Sequence, residues 1–104
     1  MINNLSSIID RLKNRRGMYI FDNSYNSLAS FLIGYISAIN DYNSDINISN
    51  EFRNWLHKRE GIHTSLHWSA YILNECAKKN EEKACQILIE LLYEFCQEKK
   101  EKII

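Results

Sequence analysis

Residues 81–99, EEKACQILIELLYEFCQEK, carry the clearest amphipathic pattern in the chain and decide its fold class. Ala84, Ile87, Leu88, Leu91, Leu92 and Phe95 recur at helical spacing and make one broad apolar face. Asn80 stands just before the pattern as a predicted N-cap, with Glu81 and Glu82 in the first turn, where the helix dipole favours carboxylates. The Glu and Lys residues between Glu90 and Lys102 read as a solvated face with i,i+4 support. Residues 99–104, KKEKII, read as a fraying tail.

Working toward the N-terminus, the same period recurs. The chain has no proline and only three glycines, so little in it breaks a helix. Leu5, Ile8, Ile9 and Leu12 predict a helix over residues 4–14, which Gly17 stops. Leu28, Phe31, Leu32, Tyr35, Ile36 and Ile39 predict another over 25–42. Gly34 lies inside it, at a cost of about 1 kcal/mol relative to alanine; close approach of a neighbouring helix would compensate. Phe52, Trp55 and Leu56 predict a short helix over 51–58, capped by Ser49 or Asn50 and ended by Gly61. Trp68, Tyr71, Ile72 and Cys76 suggest a fourth over 65–78. Between the first two helices, residues 18–21 read as a short extended segment, with Met18, Tyr19 and Ile20 packed under the second helix and Gly17 in a glycine-favouring turn. Residues 40–50 read as an exposed polar loop. The links are short, so the helices should pack as antiparallel neighbours. The expected fold is all-α: one compact bundle of about five helices over residues 1–104, centred on Phe31, Trp55, Trp68 and Phe95.

Composition narrows function. The hydrophobic fraction of 45% and charged fraction of 25% are those of a globular domain. Thirteen basic residues balance thirteen acidic ones, so the whole chain has no electrostatic footprint for nucleic acid or for a membrane surface. The N-terminus lacks the charge order of a signal peptide, and no apolar run could span a bilayer, so a soluble cytoplasmic protein is expected. Cys76, Cys85 and Cys96 are odd in number and unclustered, which is not a disulfide framework.

Candidate chemistry is sparse. His63 and His67 are four apart, a spacing that on a helix could aim two imidazoles at one metal; Glu60 or Cys76 would have to complete the set. Arg53, His57, Arg59 and His63 invite a ribonuclease or RNA-binding reading of the 53–67 region. Helical HEPN-type RNases, however, space their arginine and histidine by four to six residues, and here only three intervene. No catalytic residues, metal or cofactor are therefore assigned, and the chain is not expected to be an enzyme.

Two resemblances start from Arg16-Gly17-Met18-Tyr19-Ile20. It resembles the RPGMYIG stretch of type II topoisomerase ATPase domains, but arginine replaces the proline, phenylalanine replaces the last glycine, and the nucleotide motifs of that family are missing. Taken with SLASFLIGYISAI, FRNWLHKR, HWSAYIL and EEKACQILIELLYEF, the stretch resembles small bacterial immunity proteins encoded beside polymorphic toxins of the contact-dependent inhibition and Maf type. The likeness covers most of residues 11–95. It implies a cytoplasmic, non-enzymatic protein whose partner is a cognate toxin C-terminal domain, usually a nuclease such as an EndoU-type RNase. Direct contact with nucleic acid or a membrane is not implied. A toxin that cuts RNA has a basic cleft, so an inhibitor should offer carboxylates. Asp22, Asp41, Asp45 and Glu51 lie outside the predicted core faces, and Tyr42 could add an aromatic anchor. Asn43, Ser44, Asn47 and Asn50 surround three of them. These five residues are the expected partner-binding set.

Overall fold

The computed structural model describes residues 2–43 and 45–103, with side chains as far as residue 100. Among the described residues, five α-helices make an all-α single-domain bundle: α1 (Ile2–Arg15), α2 (Tyr25–Tyr42), α3 (Ile48–Glu60), α4 (Trp68–Tyr71) and α5 (Glu81–Ile103). A 3-10 turn, Arg16–Met18, follows α1, and a π-helical turn, Ile72–Cys76, continues α4. The described residues contain no strand, and none of their helices is long and apolar enough to cross a membrane. The Cα radius of gyration is 13.2 Å, the value for a well-packed chain of about 100 residues.

The longest helix organises the rest. Ala84, Leu88, Leu92 and Phe95 of α5 are fully buried, as its period predicts. Leu5, Ile8, Ile9 and Leu12 of α1 are buried too. Lys100 Nζ donates to Ser6 Oγ at 2.8 Å, and Lys13 Nζ stands 4.3 Å from the centre of the Tyr93 ring. Residue 6 meets 100 and residue 13 meets 93, so α1 and α5 run antiparallel. The tail, expected to fray, stays helical to Ile103; Ile104 and the loop residue Ser44 lie outside the described residues.

The centre differs from expectation. Trp68 and Phe95 are buried, but Phe31 and Trp55 are only half-buried. Phe52 of α3 takes the middle. Its ring stacks on Trp55 at 5.8 Å and meets Trp68 and Phe95 edge-on, each at 5.4 Å. Trp55 lies on the rim of this cluster because its indole N–H reaches out to Glu98 Oε2, 2.6 Å away.

Helix ends follow side-chain chemistry that periodicity does not report. α2 begins where Ser24 Oγ accepts the Ser27 N–H at 3.1 Å. α3 starts at Ile48 rather than 51, because Asn47 is the cap and accepts from Asn50 N–H at 3.1 Å. Ser49, expected as a cap, instead accepts from Trp68 Nε1 at 3.2 Å. Gly61 ends α3 with φ +65°, and the Ile62 N–H closes onto His57 O at 3.0 Å. Asn80 caps α5 through Lys83 N–H at 3.0 Å.

Three expectations are corrected. The predicted helix over 65–78 is a single α turn followed by a π turn. Residues 62–67 stay non-helical, and His67 rather than Ser65 begins the turn. The π turn brings Ala77 N–H onto Ile72 O at 2.9 Å, which lets Ile72 and Ala77 both reach the core. Residues 18–21 are not extended: Tyr19 and Ile20 N–H both close onto Arg16 O at 3.0 Å. Gly34 is exposed, and a Cβ there would have nothing within 4 Å, so no neighbouring helix requires it.

Two outcomes follow. Phe52→Ala should cost about 3–5 kcal/mol in urea unfolding, against a clearly smaller loss for Phe31→Ala. Gly34→Ala should raise stability by about 1 kcal/mol in the same assay, because it removes backbone freedom without meeting an obstacle.

Candidate interaction surface

The five expected partner-binding residues do not form one surface. Asp22 precedes α2, while Asp41 and Tyr42 end it. Eighteen residues of helix separate them by about 27 Å. Asp22 is partly committed to the fold, since its Oδ1 accepts the Ser24 N–H at 2.9 Å. That backbone hydrogen bond holds its carboxyl below the usual range. Glu51 is also engaged, paired with Lys99 Nζ at 2.9 Å. Asp41, Tyr42 and Asp45 remain exposed at the far end of α2, with Tyr42 at 92%.

The connection after Tyr42 is held more firmly than a solvated loop. Asn40 Oδ1 accepts the Ile48 N–H at 2.8 Å, tying the end of α2 to the start of α3. Asn43 Nδ2 donates to Ile39 O at 3.0 Å, and Ile48 is buried. The asparagines that read as loop composition act as joints.

The turn between α1 and α2 is the surface that sequence reasoning missed. Met18, Tyr19 and Ile20 were expected beneath α2, but only Ile20 is buried. Phe21 is completely exposed at 104%, and Met18 is 71% exposed. The 3-10 turn explains this. It curls the chain back onto Arg16 O, and Ile20 is buried while the side chains on either side stay outside. Gly17 has no positive φ, and a Cβ there would meet nothing within 4 Å, so neither backbone shape nor crowding calls for glycine. Arg11, Lys13, Arg15 and Arg16 lead into the turn along the chain, and among the described residues none of the four forms an ion pair. A groove of about 410 Å³ opens beside it, with Leu12 and Ile89 at its floor and Lys13, Arg16 and Glu90 on its walls.

A second concavity, about 340 Å³, lies between the end of α3, the π turn and α5. Glu60, Glu75, Glu90 and Glu94 line it with Arg59. Arg59, one of the residues that invited a ribonuclease reading, is committed here, 2.8 Å from Glu60 and 3.0 Å from Glu94. Cys76 Sγ lies 3.8 Å from Glu60 Oε1. Burial, reinforced by Glu60, pushes the Cys76 thiol up, which suppresses its nucleophilicity. Cys85 and Cys96 are buried in α5, and burial pushes Cys96 up to about 12.

The histidines do not converge on a metal. His63 and His67 share no helix face, because the segment holding them is irregular. His57 and His63 face each other with ring centres 5.8 Å apart. His67 lies against Trp68 and caps α4, its Nδ1 accepting the Ser69 N–H at 3.1 Å. Among the described residues, no group of three His, Cys, Asp or Glu side chains could hold a metal ion.

Compared with family models, curated proteins and solved structures, the chain finds no match.

The His67 cap has a pH signature. Partial burial lowers its pKa below the ordinary 6.5, so the unfolded chain binds the proton more readily. The stability it contributes is complete above about pH 6.5 and declines as pH falls toward the folded-state value. Urea midpoints at pH 7.5 and 5.5 should therefore fall further for the native chain than for His67→Ser, which keeps a cap that does not titrate.

Proposed function

We propose that this chain is an immunity-type inhibitor that binds one bacterial toxin domain and neutralises it by covering the active site or the approach of substrate. The resemblance across residues 11–95 supplies the class of partner, a toxin C-terminal domain with nuclease activity such as an EndoU-type RNase. One structural observation carries the reading: Phe21 and Met18 stand in solvent on a turn whose neighbour Ile20 is buried. A small chain that places an aromatic ring wholly in water has apolar area to offer a partner.

The rest of the molecule agrees with work done from the exterior. Its buried polar atoms are satisfied among the described residues. Burial keeps the thiols of Cys85 and Cys96 protonated. Arg59 is locked between two glutamates. The reading places the protein in the cytoplasm, where its three free cysteines stay reduced.

Co-expression with the toxin domain encoded beside its gene should restore growth to cells that the toxin alone kills. The purified pair should form a complex with a Kd in the nanomolar range or below, measured by calorimetry. Growth arrest despite abundant folded protein, with no complex at micromolar concentration, would reject the proposal.

A further inference from the structure

We infer that the turn over residues 15–21 is the docking element, and that its counterpart on the partner is an apolar socket rimmed by carboxylates. The inference rests on the inhibitor reading above and adds which face binds and what chemistry it meets.

Apolar exposure comes first. Phe21 and Met18 are the two most exposed large apolar side chains after Tyr42 is set aside, and they lie three residues apart on one turn. Neither contributes to the core, so the fold gives no reason for an aromatic ring at 21. The turn is also tied down on both sides. Ile20 anchors it from below, α1 ends immediately before it, and Asp22 and Ser24 fix the start of α2 just after. An aromatic ring on a preorganised turn loses little freedom when it is buried by a partner.

Charge then selects the partner. Residues 1–21 hold four basic side chains and one acidic, a local charge of +3, so the rest of this neutral chain carries −3. Arg11, Arg15 and Arg16 have no carboxylate partner among the described residues. A basic cleft would be repelled here, whereas a patch of Asp and Glu would be drawn in and held by the arginine forks. This reverses the expectation that the inhibitor offers the carboxylates.

Shape separates a protein from the other anionic surfaces. The groove of about 410 Å³ beside Arg16 has a buried apolar floor and can receive a side chain from the partner while Phe21 enters the partner's socket. A lipid leaflet has no side chain to place there. Carboxylates also interrupt the basic field: Asp22, next to Phe21, Glu81 on the Tyr25 N–H at 3.1 Å, and Glu90 on the groove wall. They oppose a continuous sheet of phosphates, in lipid or in RNA, but suit a discrete mixed surface.

The test measures Kd for the catalytically dead toxin domain encoded beside the gene, using the native chain, Phe21→Asp, Phe21→Ser, Arg15→Glu and Tyr42→Asp. Both Phe21 variants should weaken binding at least about 30-fold, the mark of an interface hot spot. Arg15→Glu should weaken it about tenfold and flatten its salt dependence. Tyr42→Asp, at the far end of α2, should stay within about threefold, the near-neutral range of residues outside a hot spot. All three side chains are exposed, so thermal unfolding should be unchanged and a loss of binding is a loss of contact. A native chain that binds tightly with undiminished Phe21 variants overturns this inference and leaves the inhibitor reading standing. A native chain that does not bind removes both. Loss at Tyr42→Asp instead assigns the opposite end of α2 and overturns the inference. So does a Phe21 dependence seen only with phosphatidylglycerol vesicles or single-stranded RNA.

Discussion

The ring of Phe52 is the contact on which the rest of the bundle depends. It gathers Trp55 from its own helix, Trp68 from the irregular fourth helix and Phe95 from α5. α4 is a single α turn followed by a π turn and could not hold its shape alone, because helix formation needs more length than that. Edge-on packing of Trp68 against Phe52, with the indole N–H secured by Ser49, supplies what propensity does not. The π turn is therefore a consequence of packing, accommodating one extra residue so that Ile72 and Ala77 can both be buried.

Polar side chains finish what the apolar stripes begin. Glu81, in the first turn of α5, accepts the Tyr25 N–H at 3.1 Å and so caps a different helix. The Tyr25 hydroxyl donates to Ser69 O at 2.7 Å, joining α2 to α4, and burial holds that phenol well above its usual range. Asn40 does the same between α2 and α3. These bonds leave the two ends of α2 differently disposed. One end is secured by Asn40 and Asn43, with Tyr42 projecting from it; the other carries the basic turn with Phe21 and Met18.

How much of this could be read from residues alone depends on the range of the interaction concerned. α2 spans the predicted residues 25–42, and Gly61 and Asn80 act as predicted, because local period and local capping decide them. α3 was placed three residues late because Asn47 looks like loop composition until Asn40 is seen beside it. The irregular fourth helix was illegible, since only contacts with α3 and α5 select a π turn. Phe52 was seen to face inward but not to be central, a distinction that requires knowing which helices meet. The expected partner-binding residues lie apart for a simpler reason. Exposure was inferred from polarity, so carboxylates already bonded to Ser24 and Lys99 were included, and an exposed Phe21 was not. In a turn this short no periodicity shows which of Met18, Tyr19 and Ile20 points inward.

The antiparallel pairing of α1 with α5 bears on how the molecule is made. α1 finds its main packing partner in α5, the helix farthest from it along these residues. Before α5 is in place, Leu5, Ile8, Ile9 and Leu12 lack the face that covers most of them, and roughly eighty residues of chain must close as a loop before they gain it. Assembly is thus weighted toward this one long-range contact, and a chain without α5 would expose an uncovered apolar helix. Loss of even the last turns of α5 would withdraw Lys100 from Ser6 and loosen the hold on α1.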